Sequence, residues 1–253
     1  MTTRTSKSLE QKVALVTGAA GGIGSAISHH LAQAGAQVVV AYGHNREKAE
    51  ALAAELPGEG HFVAQALVDM SDSLLELAAD LEARFGKLDI LVNNAGITRP
   101  VPHDDLESLH DELFDQIFQV NVRGAFAAVR YMKPLLLKSD DALIVNISSI
   151  AGRTGVGSNV AYCASKAALD SLTRSLARAL APQIRVVSVS PGWVMGEYAE
   201  RMPPEVIEEQ RQKTPLARIA EADDVARAVV AVATSLTFTT GCIIPVDGGR
   251  PLL

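Results

Sequence analysis

Aromatic residues, cysteines and clusters of basic residues are all scarce in this chain of 253 residues. Phe, Trp and Tyr together make up 4% of it, and the two cysteines, Cys163 and Cys242, lie far apart in sequence. That spacing fits neither a disulfide framework nor a metal site, so no metal is predicted. The formal net charge is −6 and Lys and Arg form no run, which argues against nucleic acid as a partner.

Long apolar stretches are also missing. None reaches the roughly 18 residues that a membrane-spanning helix needs. The opening segment "MTTRTSKSLEQK" is polar and lacks the apolar centre of a signal peptide. Together with the two unpaired cysteines, these features predict a soluble, cytoplasmic protein without a membrane partner.

What the chain does have is a regular alternation of short apolar runs with longer amphipathic segments. The apolar runs predict seven strands, at 12–17, 37–42, 61–67, 88–94, 142–148, 184–190 and 242–247. The segments between them predict helices near 22–34, 45–56, 71–85, 106–137, 160–181 and 222–234. Such alternation is typical of an α/β protein. We therefore expect a single-domain doubly wound (Rossmann-like) fold, with a seven-stranded parallel sheet and helices on both faces.

No linker or change of composition divides the chain, so residues 1–253 are predicted to form one domain. The exception to the alternation is 192–220, a long charged connection with "PP" in its middle. Connections of this length are often binding loops, so we expect a substrate lid there. Its Trp193, Met195, Tyr198 and Met202 favour either a partly apolar substrate pocket or a lid that packs on itself.

A glycine-rich turn, "TGAAGGIG" at 17–24, joins the first predicted strand to the first helix. Glycines let a ligand approach the backbone, and the free N–H groups of a helix start attract phosphate. The order Gly18, Gly22, Gly24 differs from the G-x-G-x-x-G pattern. Tight turns also use glycine for steric reasons alone. The position after the first strand nevertheless favours a dinucleotide site.

Polar or bend-forming residues follow three further strands, where ligands of open α/β sheets bind. Asp69 follows the third strand and could accept a hydrogen bond from an adenine amino group. "NNAG" at 93–96 ends the fourth strand, and "PG" at 191–192 ends the sixth. Each could instead be a simple turn or helix cap, but their recurrence along one sheet edge indicates a binding site.

Tyr162 and Lys166 lie four residues apart in "AYCASKAAL", which places both side chains on one face of a helix. One interpretation is a surface tyrosine packed on a lysine stem. The other is that the ammonium lowers the pKa of the phenol from about 10 toward neutrality, which would make Tyr162 a proton donor or acceptor.

These motifs, taken together, resemble one family over nearly the whole chain, the short-chain dehydrogenases/reductases. "TGAAGGIG", "NNAG", "NVRG" (121–124), "ISS" (147–149) and "YCASK" (162–166) occur in that family's order and at its distances. Within the family the chain looks like a 3-oxoacyl-carrier-protein reductase type, including its ending "TGCIIPVDGG". The resemblance implies an NAD(P)-dependent enzyme that interconverts a ketone and a secondary alcohol.

The resemblance also implies roles for four residues. Tyr162 would be the acid/base, and Lys166 would lower its pKa and bind the nicotinamide ribose. The family's serine precedes the tyrosine by thirteen positions, which selects Ser149 over Ser148 as the partner of the carbonyl oxygen. Asn121 would anchor a water that links Lys166 to solvent. Conversion of a carbonyl to an alcohol needs such a proton donor.

The dinucleotide contacts follow from the strand-end motifs and the resemblance together. They are assigned to Gly18, Gly21, Gly22, Ile23, Gly24, Tyr42, His44, Asn45, Arg46, Asp69, Met70, Asn93, Ala95, Gly96, Tyr162, Lys166, Pro191, Gly192 and Val194.

The second strand decides which dinucleotide is expected. An acidic residue at its end would bind the ribose hydroxyls of NAD and repel a 2′-phosphate, but Ala41, Tyr42 and Gly43 offer no carboxylate. The following residues, 44–46, are hydrogen-bond donors near a helix start, which favours NADP. Against this, Gly21 stands where NADP-dependent relatives often have Arg or Lys. Residues 44–46 could also merely cap the helix, and NAD remains the alternative.

Two positions depart from the family pattern. Gly196 stands where relatives often have a threonine that contacts the nicotinamide. Asp140 and Asp141 stand near the position where carrier-protein reductases have basic residues, and they would repel an acidic carrier. A dedicated carrier-protein reductase is therefore the alternative to a reductase of small carbonyl compounds.

Two other kinds of protein share features of this sequence. A non-catalytic dinucleotide-binding regulator on the same fold would be expected to lack Tyr162, Lys166 or Ser149, and all three are present. An epimerase or dehydratase would need a further substrate region for which the chain has no room. Apolar residues on more than one face of 106–137 and 160–181 predict a homotetramer.

Overall fold

The computed structural model describes residues 9–196, 199 and 202–252. Its centre is a parallel sheet of seven strands in the order β3-β2-β1-β4-β5-β6-β7. The strands are β1 Val13–Thr17, β2 Gln37–Tyr42, β3 Phe62–Gln65, β4 Ile90–Asn93, β5 Ala142–Ile147, β6 Ile184–Pro191 and β7 Ile243–Val246. Each predicted strand is found, and the doubly wound fold with its seven-stranded parallel sheet is confirmed.

Helices connect the strands and cover both faces of the sheet. They are α1 Gly22–Gln33, α2 Arg46–Glu55, α3 Ser71–Phe85, α4 Asp111–Phe118, α5 Ala125–Leu136, α6 Ala151–Thr154, α7 Val160–Leu180, α8 Pro204–Gln212 and α9 Ala222–Thr234. A π-helical turn, Gln119–Gly124, lies between α4 and α5, and a 3₁₀ turn, Arg250–Leu252, lies near the carboxyl end. The single helix predicted over 106–137 is therefore wrong in detail, since it begins at Asp111 and is interrupted by the π turn.

Side chains that alternate along the strands divide the core into two apolar layers. On β1, Ala14 and Val16 face the layer that contains α1, α2 and α9. Val13 and Leu15 face the layer that contains α3, α5 and the end of α7. All four are at most 3% exposed. A sheet that is buried on both faces requires strands that are apolar along their whole length. The short apolar runs in the sequence could therefore predict the strands.

The strand order reverses between β1 and β4. Crossovers from β1 lead outward through β2 to β3, whereas those from β4 lead to the other edge. In such sheets the carboxyl ends of the two central strands separate and leave a crevice for a ligand. The Gly-rich turn after β1 and the NNAG segment after β4 lie on the two sides of this crevice.

A buried carboxylate fixes the opposite, amino-terminal ends of the central strands. Asp89 is fully buried and accepts hydrogen bonds from Val13 N at 2.9 Å and from Ser139 Oγ at 2.6 Å. Lys12 and Lys87 each place an Nζ at 3.0 Å from this carboxylate. Burial raises the pKa of the Asp89 carboxyl, but these hydrogen bonds outweigh it and hold the pKa below its ordinary value.

A set of five buried polar residues, which we call the polar stripe, fastens α7 to the sheet. Asn93, Asn146 and Ser188 stand in register on β4, β5 and β6. Asn146 Nδ2 donates to Thr173 Oγ1 of α7 at 2.8 Å, and Ser188 Oγ donates to Asp170 Oδ1 of α7 at 3.0 Å. Asn93 Nδ2 donates to Asn146 Oδ1 at 2.9 Å. The stripe therefore fixes the position of α7 along and around its own axis.

The segment predicted to be a lid, 192–220, contains the helix α8 and is tied at its base. Met195 N donates to Ala220 O at 2.8 Å, and Ala220 N donates to Trp193 O at 3.2 Å. Trp193, Met195 and Met202 are half-buried, whereas Tyr198 lies outside the described residues. A cavity of ≈ 480 Å³ lies beside Trp193, between the base of the segment and the end of β7.

Within the described part of the chain, no helix is both long enough and apolar enough to cross a membrane.

Candidate active site

The start of α7 positions the tyrosine and lysine. Asn159 caps the helix, and its Oδ1 accepts a hydrogen bond from Tyr162 N at 2.7 Å. An Asn in this position satisfies one of the free N–H groups of the first turn and fixes where the helix begins. Tyr162 therefore lies in the first turn and Lys166 one turn later, on the face that covers the end of β5.

Ser149 is delivered by the bend after β5. Ser148 N donates to Val189 O at 2.8 Å and Ile150 N donates to Pro191 O at 3.0 Å, so the backbone on both sides of Ser149 is tied to β6. The Ser149 hydroxyl lies near enough to the Tyr162 phenol to lower its pKa by hydrogen bonding. The two predicted proton-handling groups therefore face the same site.

Lys166 is 6% exposed, and its Nζ donates to Ile147 O at 2.8 Å. A Cβ placed on Gly96 would lie 3.7 Å from this Nζ and 3.3 Å from Asn121 Oδ1. The loop after β4 thus brings Gly96 against both side chains. Burial lowers the pKa of Lys166 to about 8, although the nearby Asp170 carboxylate acts in the opposite direction.

The pKa of Tyr162 is shifted in the direction opposite to the expected one. Burial raises the pKa of the phenol above its ordinary value, and the hydrogen bond with Ser149 only partly offsets this. The Lys166 Nζ is 5.6 Å from the centroid of the tyrosine ring and is bonded to a main-chain carbonyl. At that position the ammonium does not outweigh the cost of placing a phenolate in a buried site.

Asn121 lies in the π turn and joins two parts of the site. Its Oδ1 accepts from Ile97 N at 2.8 Å, and its Nδ2 donates to Ile97 O at 3.0 Å and to Ser165 Oγ at 3.1 Å. Ser165 Oγ in turn donates to Tyr162 O at 2.8 Å. Both N–H donors of the amide are thus used to fasten the loop after β4 to α7. π turns of this kind are frequent at functional sites.

The glycine turn fits a pyrophosphate. Gly18 has a φ of +62°, and a Cβ on Gly24 would lie 2.4 Å from Gly18 O, so both positions require glycine. Gly21 precedes α1 with no side chain capping the helix start, and a Cβ on Gly22 would meet no atom within 4 Å. Free N–H groups facing open space at a helix start are a suitable anion site. Ile23 is half-buried beneath them.

Two residues that hold this turn were not predicted. Asn94 Nδ2 donates to Thr17 O at 2.9 Å and to Gly18 O at 3.0 Å, while Thr17 Oγ1 accepts from Asn94 N and Ala95 N at 3.1 Å each. Side chains alternate along a strand, so consecutive asparagines must point to different sides. That rule could have separated the role of Asn94 from that of Asn93.

The side chain of Asn93 does not reach the crevice, so a contact of this residue with the cofactor would have to come from its main chain. Its side chain is directed into the polar stripe, where it bonds to Asn146, and the residue is only 4% exposed. Its Oδ1 has no hydrogen-bond partner in the structure. The side chain therefore stabilises the interior beneath α7, because the pleat of β4 turns it away from the crevice.

The residues expected at the adenosine end lie together at the carboxyl ends of β2 and β3. Tyr42 and Asp69 are half-buried, whereas His44 and Met70 are exposed. Asn45 Oδ1 accepts from Lys48 N at 2.9 Å and caps α2. The Asn45 side chain is therefore a helix cap, which was one of the two interpretations of residues 44–46.

Arg46 and Arg123 have partners at this end. Arg46 Nε donates to Glu50 Oε1 at 2.8 Å, and 72% of the arginine side chain is exposed. Arg123 donates to the main-chain carbonyl of Asp69, which ties the π turn to the loop after β3.

The end of β6 completes the crevice. Pro191 is buried at the end of the strand, and Gly192 N donates to Val246 O at 3.0 Å. A Cβ on Gly192 would lie 3.0 Å from Asp247 Cα, which explains the glycine. Val194 forms a parallel bridge with Ala220 at the base of the lid segment. Gly196 has open space around its Cβ position.

The described His, Cys, Asp and Glu side chains form no cluster of three or more suited to a metal ion. Asp140 and Asp141 precede β5 and therefore lie at the amino-terminal ends of the strands, opposite the site, so the expectation that they stand near its entrance is wrong. Asp141 lies 3.6 Å from Arg185 Nε, so part of its charge is compensated, whereas Asp140 is exposed.

Comparison with known proteins gives concordant matches. A family model described as "Enoyl-(Acyl carrier protein) reductase" matches residues 18–250. A ketoacyl reductase of the granaticin polyketide synthase from Streptomyces violaceoruber is 37% identical over 248 residues, which cover 96% of this chain and 98% of that protein. A 3-oxoacyl-(acyl-carrier-protein) reductase from Staphylococcus aureus is 36% identical, with 94% and 97% covered.

A solved structure from Brucella melitensis, described as a short-chain dehydrogenase/reductase of the glucose/ribitol dehydrogenase type, superposes with a TM-score of 0.90. It is 31% identical to this chain, and the match covers 96% of this chain and 98% of the other.

Proposed function

Because the chain belongs to the short-chain dehydrogenase/reductase family, and is therefore an NAD(P)-dependent oxidoreductase that interconverts a ketone and a secondary alcohol, we propose that Tyr162 is its acid/base. The observation that carries this proposal is the convergence of Ser149, Tyr162 and Lys166: the Lys166 Nζ lies 5.6 Å from the Tyr162 ring centroid, and Ser149 lies near enough to the phenol to affect its pKa. A hydroxyl pair beside a buried ammonium can hold a carbonyl oxygen and exchange a proton with it.

Each residue has a separate task in this proposal. Ser149 donates a hydrogen bond to the substrate oxygen and keeps it within reach of the phenol. Tyr162 delivers the proton in reduction and accepts it in oxidation. Lys166 binds the ribose and favours the phenolate electrostatically. The nicotinamide, when bound, supplies or accepts the hydride at the carbonyl carbon. Asn121 holds the loop after β4 against α7. It is also proposed to anchor a water that connects Lys166 with solvent.

The raised pKa of Tyr162 fits this division of tasks in the direction of reduction. A phenol that stays protonated is available as a donor, since its proton leaves only when the substrate oxygen becomes strongly basic. For alcohol oxidation the phenolate is needed, and it depends on the charge of Lys166. We therefore expect oxidation to need a higher pH than reduction.

The dinucleotide is proposed to lie along the crevice from α1 to α7. The N–H groups after Gly21 would bind its pyrophosphate, Asp69 its adenine, and the backbone of Ala95, Gly96 and Gly192 would line the nicotinamide end. Asn93 is proposed to contribute only through its main chain, because its side chain is buried in the polar stripe.

NADP is proposed as the preferred dinucleotide. The end of β2 carries no carboxylate that would repel a 2′-phosphate, and the largely exposed Arg46 stands at the start of α2. Its ion pair with Glu50 is largely solvent-exposed, so it is weak enough to be exchanged for a phosphate. Asn45 contributes as a helix cap, and His44 remains a further proposed donor.

The experiment that tests the function is a steady-state survey of ketones and secondary alcohols with each cofactor. We expect higher kcat/KM with NADPH than with NADH on every accepted ketone, and Arg46→Ala should reduce that difference by removing a phosphate contact. Lys48→Ala, on the same helix, is the matched control for loss of one positive charge. A preference for NADH would refute the assignment at β2, and no turnover of any carbonyl or alcohol would refute the proposed acid/base site.

A dedicated 3-oxoacyl-carrier-protein reductase is the second candidate, and the names of the relatives that are 36–37% identical support it. Asp140 does not oppose it, because this residue precedes β5 and lies at the end of the sheet opposite the site. The same survey separates the two if it includes one 3-oxoacyl thioester both free and linked to the carrier. Turnover of the linked thioester alone would identify a dedicated carrier-protein reductase.

Residues 1–253 are proposed to act as one domain, with 192–220 as the substrate lid. The free thiols of Cys163 and Cys242 support a cytoplasmic location, where cysteines stay reduced.

A homotetramer is proposed because α4 and α5 expose aromatic side chains. Phe114 and Phe126 are 38% and 41% exposed, and Phe114 stacks on Phe118 with ring centroids 5.1 Å apart. Exposed aromatic groups on neighbouring helices are typical of surfaces between subunits.

We expect light scattering to give the mass of a tetramer at micromolar concentration, and Phe126→Glu to give smaller species. The control is Leu75→Glu on α3, where the replaced leucine is 56% exposed. A monomeric wild-type protein at that concentration would contradict the proposal.

A further inference from the structure

Buried charges are rare in this protein. Among the described residues, only three charged side chains fall in the buried class, namely Asp89, Lys166 and Asp170. Asp89 has Lys12 and Lys87 as partners at the amino ends of the strands. The remaining two are of opposite sign and lie on the same helix. Since a buried charge is costly without compensation, the pair requires a common explanation.

Lys166 and Asp170 are four residues apart on α7, so they lie on the same face, one turn from each other. They are 6% and 7% exposed. The ammonium is bonded to Ile147 O on β5 at 2.8 Å, and the carboxylate accepts a hydrogen bond from Ser188 Oγ on β6 at 3.0 Å. Each charge is thus held by a neighbouring strand beneath the same helix.

We propose that Asp170 is the counterion of Lys166: held in place by Ser188, its carboxylate keeps the buried ammonium charged beside Tyr162. Asp170 is a positioning residue, because it acts through Lys166 and not on the reacting atoms. This inference rests on the proposed function in assigning a catalytic use to Lys166, but the electrostatic coupling of the two residues can be tested without it.

The surroundings of Lys166 leave Asp170 as the source of negative charge. On α7 the titratable neighbours are Tyr162 and Asp170. The strand β5 contributes the Ile147 carbonyl, β6 contributes Ser188 through Asp170, and the π turn contributes the neutral amide of Asn121. Asp170 raises the pKa of Lys166 against the effect of burial, and the net value is about 8.

Neutralising Asp170 is expected to change the pKa of Lys166 in one direction. Lys166 carries its charge below its pKa, and removal of a nearby negative charge makes that charge less favourable. Asp170→Asn keeps the shape of the side chain and should lower the pKa of Lys166. Activity that depends on the ammonium should then decline at lower pH than in the wild type, and it should be restored by acidification.

The test combines two measurements on the full-length chain. The first is the pKa of Lys166, followed by NMR of ¹³Cε-labelled lysine with Lys166→Arg to assign the signal. The second is the pH profile of kcat/KM. For Asp170→Asn we expect the Lys166 pKa and the alkaline limb of the profile both to move down by about one pH unit. At pH 8 the charged fraction of Lys166 would fall from about one half to about one eleventh, a roughly fivefold loss of kcat/KM, with little loss near pH 6.

Two further variants separate charge from packing. Asp170→Glu retains the charge and should restore the Lys166 pKa and most of the profile. Thr173→Val removes another buried polar group of the stripe from α7 and should affect thermal stability but leave both pH readouts unchanged. An equal loss of activity at every pH in Asp170→Asn, with an unchanged Lys166 pKa, would overturn the inference and leave a structural role.

If Asp170→Asn does not fold, a measurement on the wild-type protein tests the inference instead. The ¹³Cγ signal of Asp170 must then report an ionised carboxylate at neutral pH, and a protonated carboxyl would overturn the inference. If the Lys166 pKa moves in the variant while the activity profile does not, the counterion is established and the proposed role of Lys166 in catalysis is the part that fails.

Discussion

Replacing Tyr162 with phenylalanine is expected to lower kcat by about 100- to 10,000-fold, the range that a positioned proton donor contributes. The substitution removes only the phenolic oxygen, so the ring keeps its place in the first turn of α7 and Ser149 loses one partner. The glycine turn and Lys166 are untouched, and dinucleotide affinity should stay within several-fold of the wild type. Lys166→Ala should instead lower both kcat and dinucleotide affinity.

The measurement is single-turnover and steady-state kinetics on the accepted substrate, together with dinucleotide titration by fluorescence. Tyr131→Phe is the matched control, since this tyrosine is half-buried on α5 against the core layer and its hydroxyl accepts a hydrogen bond from Arg130. If Tyr162→Phe retains a tenth of the wild-type kcat, another group supplies the proton and the assignment must be abandoned.

Substitution of Gly24 by alanine is expected to disrupt dinucleotide binding and to lower thermal stability. The added Cβ would lie 2.4 Å from Gly18 O and 2.7 Å from Asn94 Nδ2. The nearer of these atoms belongs to the backbone, so the turn would have to open and the hydrogen bonds that Asn94 makes to it would be strained. We expect dinucleotide affinity to fall by at least about tenfold, which corresponds to one lost hydrogen bond of the stronger class.

Gly22→Ala is the informative control because its Cβ would meet no protein atom within 4 Å. Alanine is the better helix former, so Tm should stay the same or rise slightly. Its methyl group would still project where the phosphate is proposed to bind, and affinity should fall. Calorimetric titration and thermal unfolding of both variants separate the two effects. Normal affinity in Gly24→Ala would show that the turn is not the phosphate site.

The sequence was sufficient to predict the sheet because the strands are buried on both faces and therefore consist of continuous apolar runs. It was also sufficient to bring Ser149, Tyr162 and Lys166 together, since the family spacing names them and the helix period places the last two on one face. The helix α8 was missed because it is charged and exposed, and a proline pair precedes it. No local sequence pattern predicts the π turn at Gln119–Gly124. In this turn the Asn121 side chain forms hydrogen bonds with Ile97 and Ser165.

The errors within the site have a common cause. The direction of the Tyr162 pKa shift and the place of Asn93 both depend on burial, and burial is a property of the folded layers rather than of a motif. Spacing reveals which residues are close to each other. It does not reveal that the Lys166 ammonium would bond to Ile147 O or that the pleat of β4 would turn Asn93 inward. Likewise the sequence left open whether Asn45 binds a phosphate or caps α2, and the folded chain uses its side chain as the cap.

The polar stripe beneath α7 has a consequence for how this protein can diverge. Apolar contacts are non-directional, so a helix seated on hydrocarbon alone could rotate slightly at little cost. The bonds from Asn146 to Thr173 and from Ser188 to Asp170 have fixed lengths and angles, and they hold α7 to two strands at once. Replacement of both partners of such a bond by aliphatic side chains of similar shape can be neutral for folding, unlike the loss of one partner alone. A homologue that loses catalytic activity is therefore expected to lose these polar side chains early in its evolution. The apolar residues of the two core layers should change more slowly.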